Sequence, residues 1–182
     1  MFHLPSPWGA CCMITLYHGT TEAFPVPDPS RGRRGTDFGQ GFYLTPDLQS
    51  ASNIAGLSVS RSGVGRKTIL KYAFNDELAD QLRLKVRRFN DLDAQWMSFV
   101  IANRQGDRSA PDHNIDRLYD IVSGLVADDK IVTLLRRYQH GELTQDEILR
   151  ILRQRPWRTI QYSFHTPKAV MCLQRQEVLH VE

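Results

Sequence analysis

The sequence predicts an α+β fold. Strand-like apolar runs occur both side by side and separated by helical patterns, several helices gather mid-chain, and no linker divides the 182 residues. A chain of this length buries a substantial single core, so residues 13–182 read as one domain. Residues 1–12 carry Pro5 and Pro7 and lack both a charged leader and a continuous apolar stretch. They read as a disordered extension rather than a signal peptide.

Apolar runs predict strands at 13–18, 41–45, 68–74, 119–123, 159–164 and 177–181. Asp47 starts a short helix that reaches Ala55. Asp91 caps a second helix, whose Leu92, Trp96, Phe99 and Val100 share one apolar face. Asp128 precedes a third, with Ile131, Leu134, Leu135 and Tyr138 inward and Gly141 placed to end it. Thr144 and Glu147 fit a capping box, with Ile148, Ile151 and Leu152 buried behind it. Thr166-Pro167 pairs a cap with a first-turn proline, predicting a short helix from Pro167 to about Leu173. The loops at 25–37 and 56–67, rich in Gly and Arg, are the flexible stretches.

Composition sets mild bounds. The net charge of +3 permits an acidic partner without demanding one, since Lys and Arg are spread along the chain. Cys11, Cys12 and Cys172 offer neither a disulfide framework nor metal-ligand spacing, and an odd count fits a reducing cytoplasm. No apolar run approaches the roughly 20 residues that cross a bilayer, so no membrane partner is expected.

Two early segments carry more than a core requires: Leu16-Tyr17-His18-Gly19-Thr20, and Asp37-Phe38-Gly39-Gln40-Gly41-Phe42-Tyr43-Leu44-Thr45. Each sets polar or aromatic groups beside glycines, where backbone can press against a flat ligand with no Cβ in the way. Phe42 and Tyr43 point to opposite faces of a strand, and the expectation is Phe42 in the core and Tyr43 in a cleft. Gly39 and Gly41 serve equally well as a plain bend before that strand. His18 alone reads as a strand-end histidine satisfied by local hydrogen bonds; beside Gly19 and the Tyr43 segment it reads as a ligand contact. Trp96, Phe99, Leu134 and Leu135 are core residues at helical spacing. Asp128 and Asp129 are a helix cap rather than a metal pair, and His113 and His140 are solvated surface.

Together with Ile160-Gln161-Tyr162-Ser163-Phe164-His165, these segments resemble the three motifs of the ADP-ribosyltransferase superfamily, in its diphtheria-toxin and poly-ADP-ribose polymerase branch. The chain more closely resembles a bacterial domain-of-unknown-function family assigned to that superfamily, over roughly residues 14–175. The likeness includes DFGxGFYLT, Trp96-x-x-Phe99-Val100, Tyr119-Asp120-Ile121-Val122, Val126-Ala127-Asp128-Asp129 and Gln161-x-Ser163-Phe164-His165-Thr166.

The resemblance implies a split mixed or antiparallel sheet with a mid-chain helical insertion. It also implies an NAD-dependent mono-ADP-ribosyltransferase that uses NAD as donor, needs no metal and modifies a protein or nucleic-acid acceptor. Members are often encoded beside small proteins as toxin–antitoxin-like pairs, which implies an antitoxin-like partner.

By the same likeness Gly19 offers its backbone to the nicotinamide carboxamide, His18 bonds the adenosine ribose with help from Thr20, and Tyr43 stacks on the nicotinamide. Gly41 joins this cofactor-binding set. Arg31, with Arg33 and Arg34, meets either the pyrophosphate or an RNA acceptor, or is an exposed basic loop. Gln161 stands where many family enzymes carry a catalytic glutamate, and Ser163, two residues on and facing the same way, is the alternative for that position. Asp37, Glu177 and Asp120 are the candidates for a compensating carboxylate. Two other readings stand beside the enzyme: a catalytically silent NAD or ADP-ribose binding module, and an interaction or RNA-binding domain.

Overall fold

The computed structural model describes residues 13–154 and 159–180; the extension at 1–12, with Cys11 and Cys12, falls outside them. The described elements run β1 (Met13–Thr20), β2 (Phe42–Leu44), α1 (Leu48–Ser62), β3 (Thr68–Asn75), α2 (Asp76–Gln81), β4 (Val86–Arg88) and α3 (Ala94–Gln105). They continue with β5 (Ile121–Leu125), α4 (Asp129–Gln139), α5 (Gln145–Arg153), β6 (Ile160–Phe164), α6 (Pro167–Val170) and β7 (Leu173–His180).

The strands form two sheets. One is antiparallel, in the order β1-β3-β7. The other runs β2-β6-β5-β4 and is mixed, because β4 pairs parallel to β5. An isolated antiparallel bridge between Tyr17 and Thr45 joins them. This is the α+β class the sequence predicts, with helices α3 to α5 in the middle of the chain.

Side-chain caps set most helix starts. Asp47, Asp128, Thr144 and Thr166 each accept a hydrogen bond from a first-turn N–H, and Thr144 and Glu147 close a reciprocal capping box. The cap of α3 is Asp93 rather than Asp91: its Oδ1 accepts from the Trp96 N–H at 2.8 Å, leaving Leu92 buried ahead of the helix.

The expected loop at 56–67 is helical as far as Ser62, because Ala51 and Ala55 bury α1 against its neighbours and Gly63, at φ 68°, stops it. α6 ends at Val170, short of the expected Leu173, where β7 already begins. β7 starts four residues before the predicted 177 because polar Gln174 and Arg175 pair through backbone with β3. β4 and α2 are additions; Val86-Arg87-Arg88 has no apolar alternation to announce a strand.

Two hydrophobic clusters fill the interior. Phe38, Trp96, Phe99, Val122, Ile148 and Leu152 belong to the first, with Leu134 partly buried against it. Leu16, Phe42, Leu70, Phe74 and Phe164 anchor the second, between the sheets and α6. Trp96 satisfies its indole by donating to the Leu125 carbonyl at 3.0 Å.

His113 is buried at 7% exposure, not solvated as its polarity predicts. The loop is clamped on either side of it. Asp112 holds Arg87 and the Tyr119 hydroxyl, while the Asn114 N–H donates to Asn103. His140 is exposed at the end of α4.

Candidate functional site

The site lies where the two sheets part. Tyr17 and Thr45 exchange both backbone hydrogen bonds, at 2.8 and 2.9 Å. A continued ladder would next pair Gly19 with Tyr43, and it does not form. The Tyr43 carbonyl instead accepts from His18 Nδ1–H at 2.7 Å. Alternate residues of a strand turn their backbone groups to the same side, so the N–H and C=O of Gly19 share the side of Tyr17, away from β3. They form part of the wall of a cavity of about 350 Å³. Tyr17–Gly19, Tyr43–Thr45, Ser50, Asn53 and Ile54 of α1, and Asp128 and Gln161 line it.

Gly19 has a second duty. A Cβ there would overlap the Ala51 carbonyl oxygen and come within 2.8 Å of the Ala55 nitrogen, so helix α1 occupies the face left open. The sequence expects a flat ligand against that face; at Gly19 the face is filled by α1, which leaves the backbone edge toward the cavity.

His18 is half-buried, and burial lowers its pKa to about 4 against the opposing effect of the Tyr43 hydrogen bond. The ring is therefore neutral, with its proton on Nδ1, and Nε2 is left as an acceptor.

Tyr43 lines the cavity, its ring packed in part against the first hydrophobic cluster and edge-on to His165, while its hydroxyl is held elsewhere. The hydroxyl donates to the Gly39 carbonyl at 2.7 Å, accepts from the Phe38 N–H at 3.1 Å and lies 2.9 Å from Thr36 Oγ1. Burial pushes the phenol above its usual range. Gly39 adopts φ 88°, a bend only glycine takes readily, so its role is structural. Phe42 is buried, as expected.

On the opposite wall Gln161 Nε2 donates to Asp37 Oδ2 at 2.8 Å. Of the three carboxylates considered from sequence, Asp37 is the one bonded to Gln161. Glu177 faces Lys71 across the first sheet, and Asp120 accepts from Thr166 and the Lys85 N–H. Ser163 is fully buried and does not line the cavity. Its Oγ reaches the Val122 carbonyl at 3.0 Å and His165 Nε2 at 2.9 Å. The strand alternation is as expected, but Ser163 sits one step deeper, opposite Tyr43.

Thr20, Gly41 and Arg31 do not join the first cavity. With His18, Phe24 and Phe42 they line a second, of about 290 Å³, on the other side of the histidine. Gly41 is a close-approach position, since a Cβ would meet the His165 ring at 2.7 Å. Arg31 is exposed at the rim, as are Arg33 and Arg34 in the same loop.

Sequence reading missed Ser50, Asn53 and Asp128 as cavity residues. The polar i, i+3 pair on α1 was a usable signal. Asp128 was masked by its cap, a bond from the Ile131 N–H at 2.8 Å that it makes as well as lining the cavity.

Two histidines shielded from water, His18 in part and His165 fully, give a pH prediction. His165 donates Nδ1–H to the Gln40 carbonyl, and burial lowers its pKa to about 4, as at His18. Between pH 6.5 and about 4 the unfolded chain takes up protons that the folded chain refuses. The contribution of these two histidines is complete above pH 6.5 and falls through this window, by up to about 1.4 kcal/mol per pH unit for each. Urea denaturation at pH 7 and pH 4.5 measures this, and His165→Gln is expected to flatten the slope.

An α+β protein with a cavity at the parting of two sheets is thus defined by fold and site. The chain belongs to the family described as protein of unknown function DUF3990, whose profile matches residues 14–175. Comparison with curated proteins and with solved structures finds no match. Among the described residues no helix is long and apolar enough to cross a membrane.

Proposed function

We propose that the chain is an NAD-dependent mono-ADP-ribosyltransferase modifying a protein or nucleic-acid acceptor, with the split sheet as an ADP-ribosyltransferase-like frame. The observation that carries this reading is the backbone edge of Gly19, without a backbone partner among the described residues, on the same cavity as Tyr43 and Gln161. That edge offers one donor and one acceptor, the complement of a carboxamide. The Tyr43 ring supplies a stacking surface for a pyridinium. His18 Nε2, between the two cavities, is an acceptor for a ribose hydroxyl, and the second cavity has room for the adenosine end.

In the reaction the bond between ribose C1′ and the nicotinamide nitrogen breaks, and its electron pair leaves with neutral nicotinamide. A lone pair of the acceptor closes on C1′, and the acceptor's proton is released to solvent. The site must hold the pyridinium still and place negative charge near the cationic ribose.

Gln161 in place of a glutamate favours a second reading, a binding module for NAD or ADP-ribose without turnover. Purified protein incubated with adenine-labelled NAD and cell extract separates the two. Transfer of label with release of nicotinamide is the expected result, and thermal stabilisation by NAD with no turnover supports the second reading. His18→Ala is expected to weaken NAD affinity about tenfold in calorimetric titration, by loss of one ribose hydrogen bond.

A further inference from the structure

We infer that Asp37 is the positioning residue that lets Gln161 serve where a glutamate would otherwise stand; the inference rests on the NAD reading above. Asp37 is 5% exposed and its carboxylate is fully engaged. Oδ1 accepts from Arg104 Nε at 2.7 Å, and Oδ2 accepts from the Ala127 N–H at 2.9 Å and from Gln161 Nε2 at 2.8 Å. With Arg104 and the Ala127 N–H already donating to it, Asp37 faces Gln161 as an acceptor, and Gln161 turns its NH₂ toward it. Oε1 is then the atom of Gln161 left for the cavity.

This orientation has two chemical effects. The cavity wall presents an acceptor, which suits a ligand hydroxyl and repels a carbonyl. A full negative charge stands one hydrogen bond behind that acceptor and polarises the amide, so Oε1 is more negative than in a free glutamine. As the C1′–nitrogen bond breaks and its electrons leave with nicotinamide, the ribose turns cationic until the acceptor's lone pair closes on it. A polarised Oε1 on the 2′-hydroxyl favours that charge. The Asp37–Gln161 pair therefore divides between two side chains what one glutamate does alone, with hydrogen bond from one and charge from the other.

The pair predicts that restoring the glutamate does harm. In Gln161→Glu two carboxylates face each other at hydrogen-bond distance, with Arg104 on the far oxygen of Asp37 and Asp128 lining the same cavity. The test is the kinetics of nicotinamide release from NAD by the whole chain, for wild type, Asp37→Asn, Gln161→Glu and the double exchange Asp37→Asn/Gln161→Glu. Asp37→Asn is expected to lower kcat about 100-fold with KM changed less than about threefold. Gln161→Glu is expected to lower kcat at least tenfold. The double exchange reverses the polarity of the pair, with an amide at position 37 donating to a carboxylate at position 161 and the Ala127 N–H losing its acceptor, a stability cost that a melting curve reads separately. The exchange should recover at least tenfold over either single variant.

A purely structural role for Asp37 would lower melting temperature without splitting kcat from KM, and the exchange would not rescue it. The inference is overturned if Gln161→Glu raises kcat, if Asp37→Asn matches wild type, or if the double exchange is no better than the poorer single variant. Should Asp37→Asn fail to fold, the Gln161→Glu result decides, since that side chain lies on the cavity wall. Wild type that binds NAD without cleaving it overturns this inference and keeps the cavity assignment. Wild type that neither binds nor cleaves it overturns both.

Discussion

Gly19→Ala is expected to destabilise the fold by about 2–3 kcal/mol, lowering the melting temperature by roughly 5–10 °C. The added methyl has no side chain to push aside: the atoms it meets are the backbone of α1, at Ala51 and Ala55. Relief requires the helix to lift from β1, and that helix carries Ser50, Asn53 and Ile54 on the cavity wall. Loss of NAD affinity should accompany the loss of stability. Gly56→Ala is the matched control. It lies in the same helix, and its new methyl would make only an ordinary contact at 3.6 Å with the end of Lys67. That variant should be neutral or gain up to about 1 kcal/mol from helix propensity. Thermal melts of the two variants side by side measure the difference.

Tyr43 carries the second large effect, because its two ends do different work. Tyr43→Phe keeps the ring in the cavity but strips the Phe38 N–H and the Gly39 carbonyl of a partner in a part-buried loop. A cost of about 1–3 kcal/mol in stability is expected, with NAD affinity held within a few-fold. Tyr43→Ala removes the ring as well. It should cost about 3 kcal/mol or more in stability and a further tenfold or so in NAD affinity, the worth of one aromatic stack. Chemical denaturation and calorimetric titration on both variants separate anchoring from stacking. The hydroxyl network also pins Thr36 and Phe38, the residues on either side of Asp37.

What could be read from the sequence is what single side chains announce. Asp47, Asp128, Thr144 and Thr166 each mark a helix start by a bond made within three residues. The alternation of Phe42 and Tyr43 put Phe42 in the core, though it also borders the second cavity, and Tyr43 beside the first cavity, where it packs in part on the core as well. Elements held by backbone pairing gave no such signal, which is why β4 and the first half of β7 were missed: their residues are mostly charged or polar, and β3 and β5 select them.

The site divides the same way. His18, Gly19 and Tyr43 were legible because each belongs to a short segment of unusual chemistry. The partnership of Asp37 with Gln161 was not, because 124 residues separate them and only the folded sheet brings them to 2.8 Å. Ser163 faces the expected direction, yet depth below a surface has no trace in a strand's alternation. Arg31, Thr20 and Gly41 lie beside His18 in a second cavity, a division set by the Phe42 and His18 rings, 4.4 Å apart.

In the proposed reading the backbone edge of Gly19 receives the amide of a bound nicotinamide. Amide proton–nitrogen correlation spectra of the ¹⁵N-labelled chain, titrated with NAD, test it most directly. A saturable downfield shift of the Gly19 amide is expected, with smaller shifts at His18 and at the Gln161 side-chain amide, all weakened in Tyr43→Ala. A Gly19 resonance that stays in place at millimolar NAD, or shifts confined to residues far from this cavity, would contradict it.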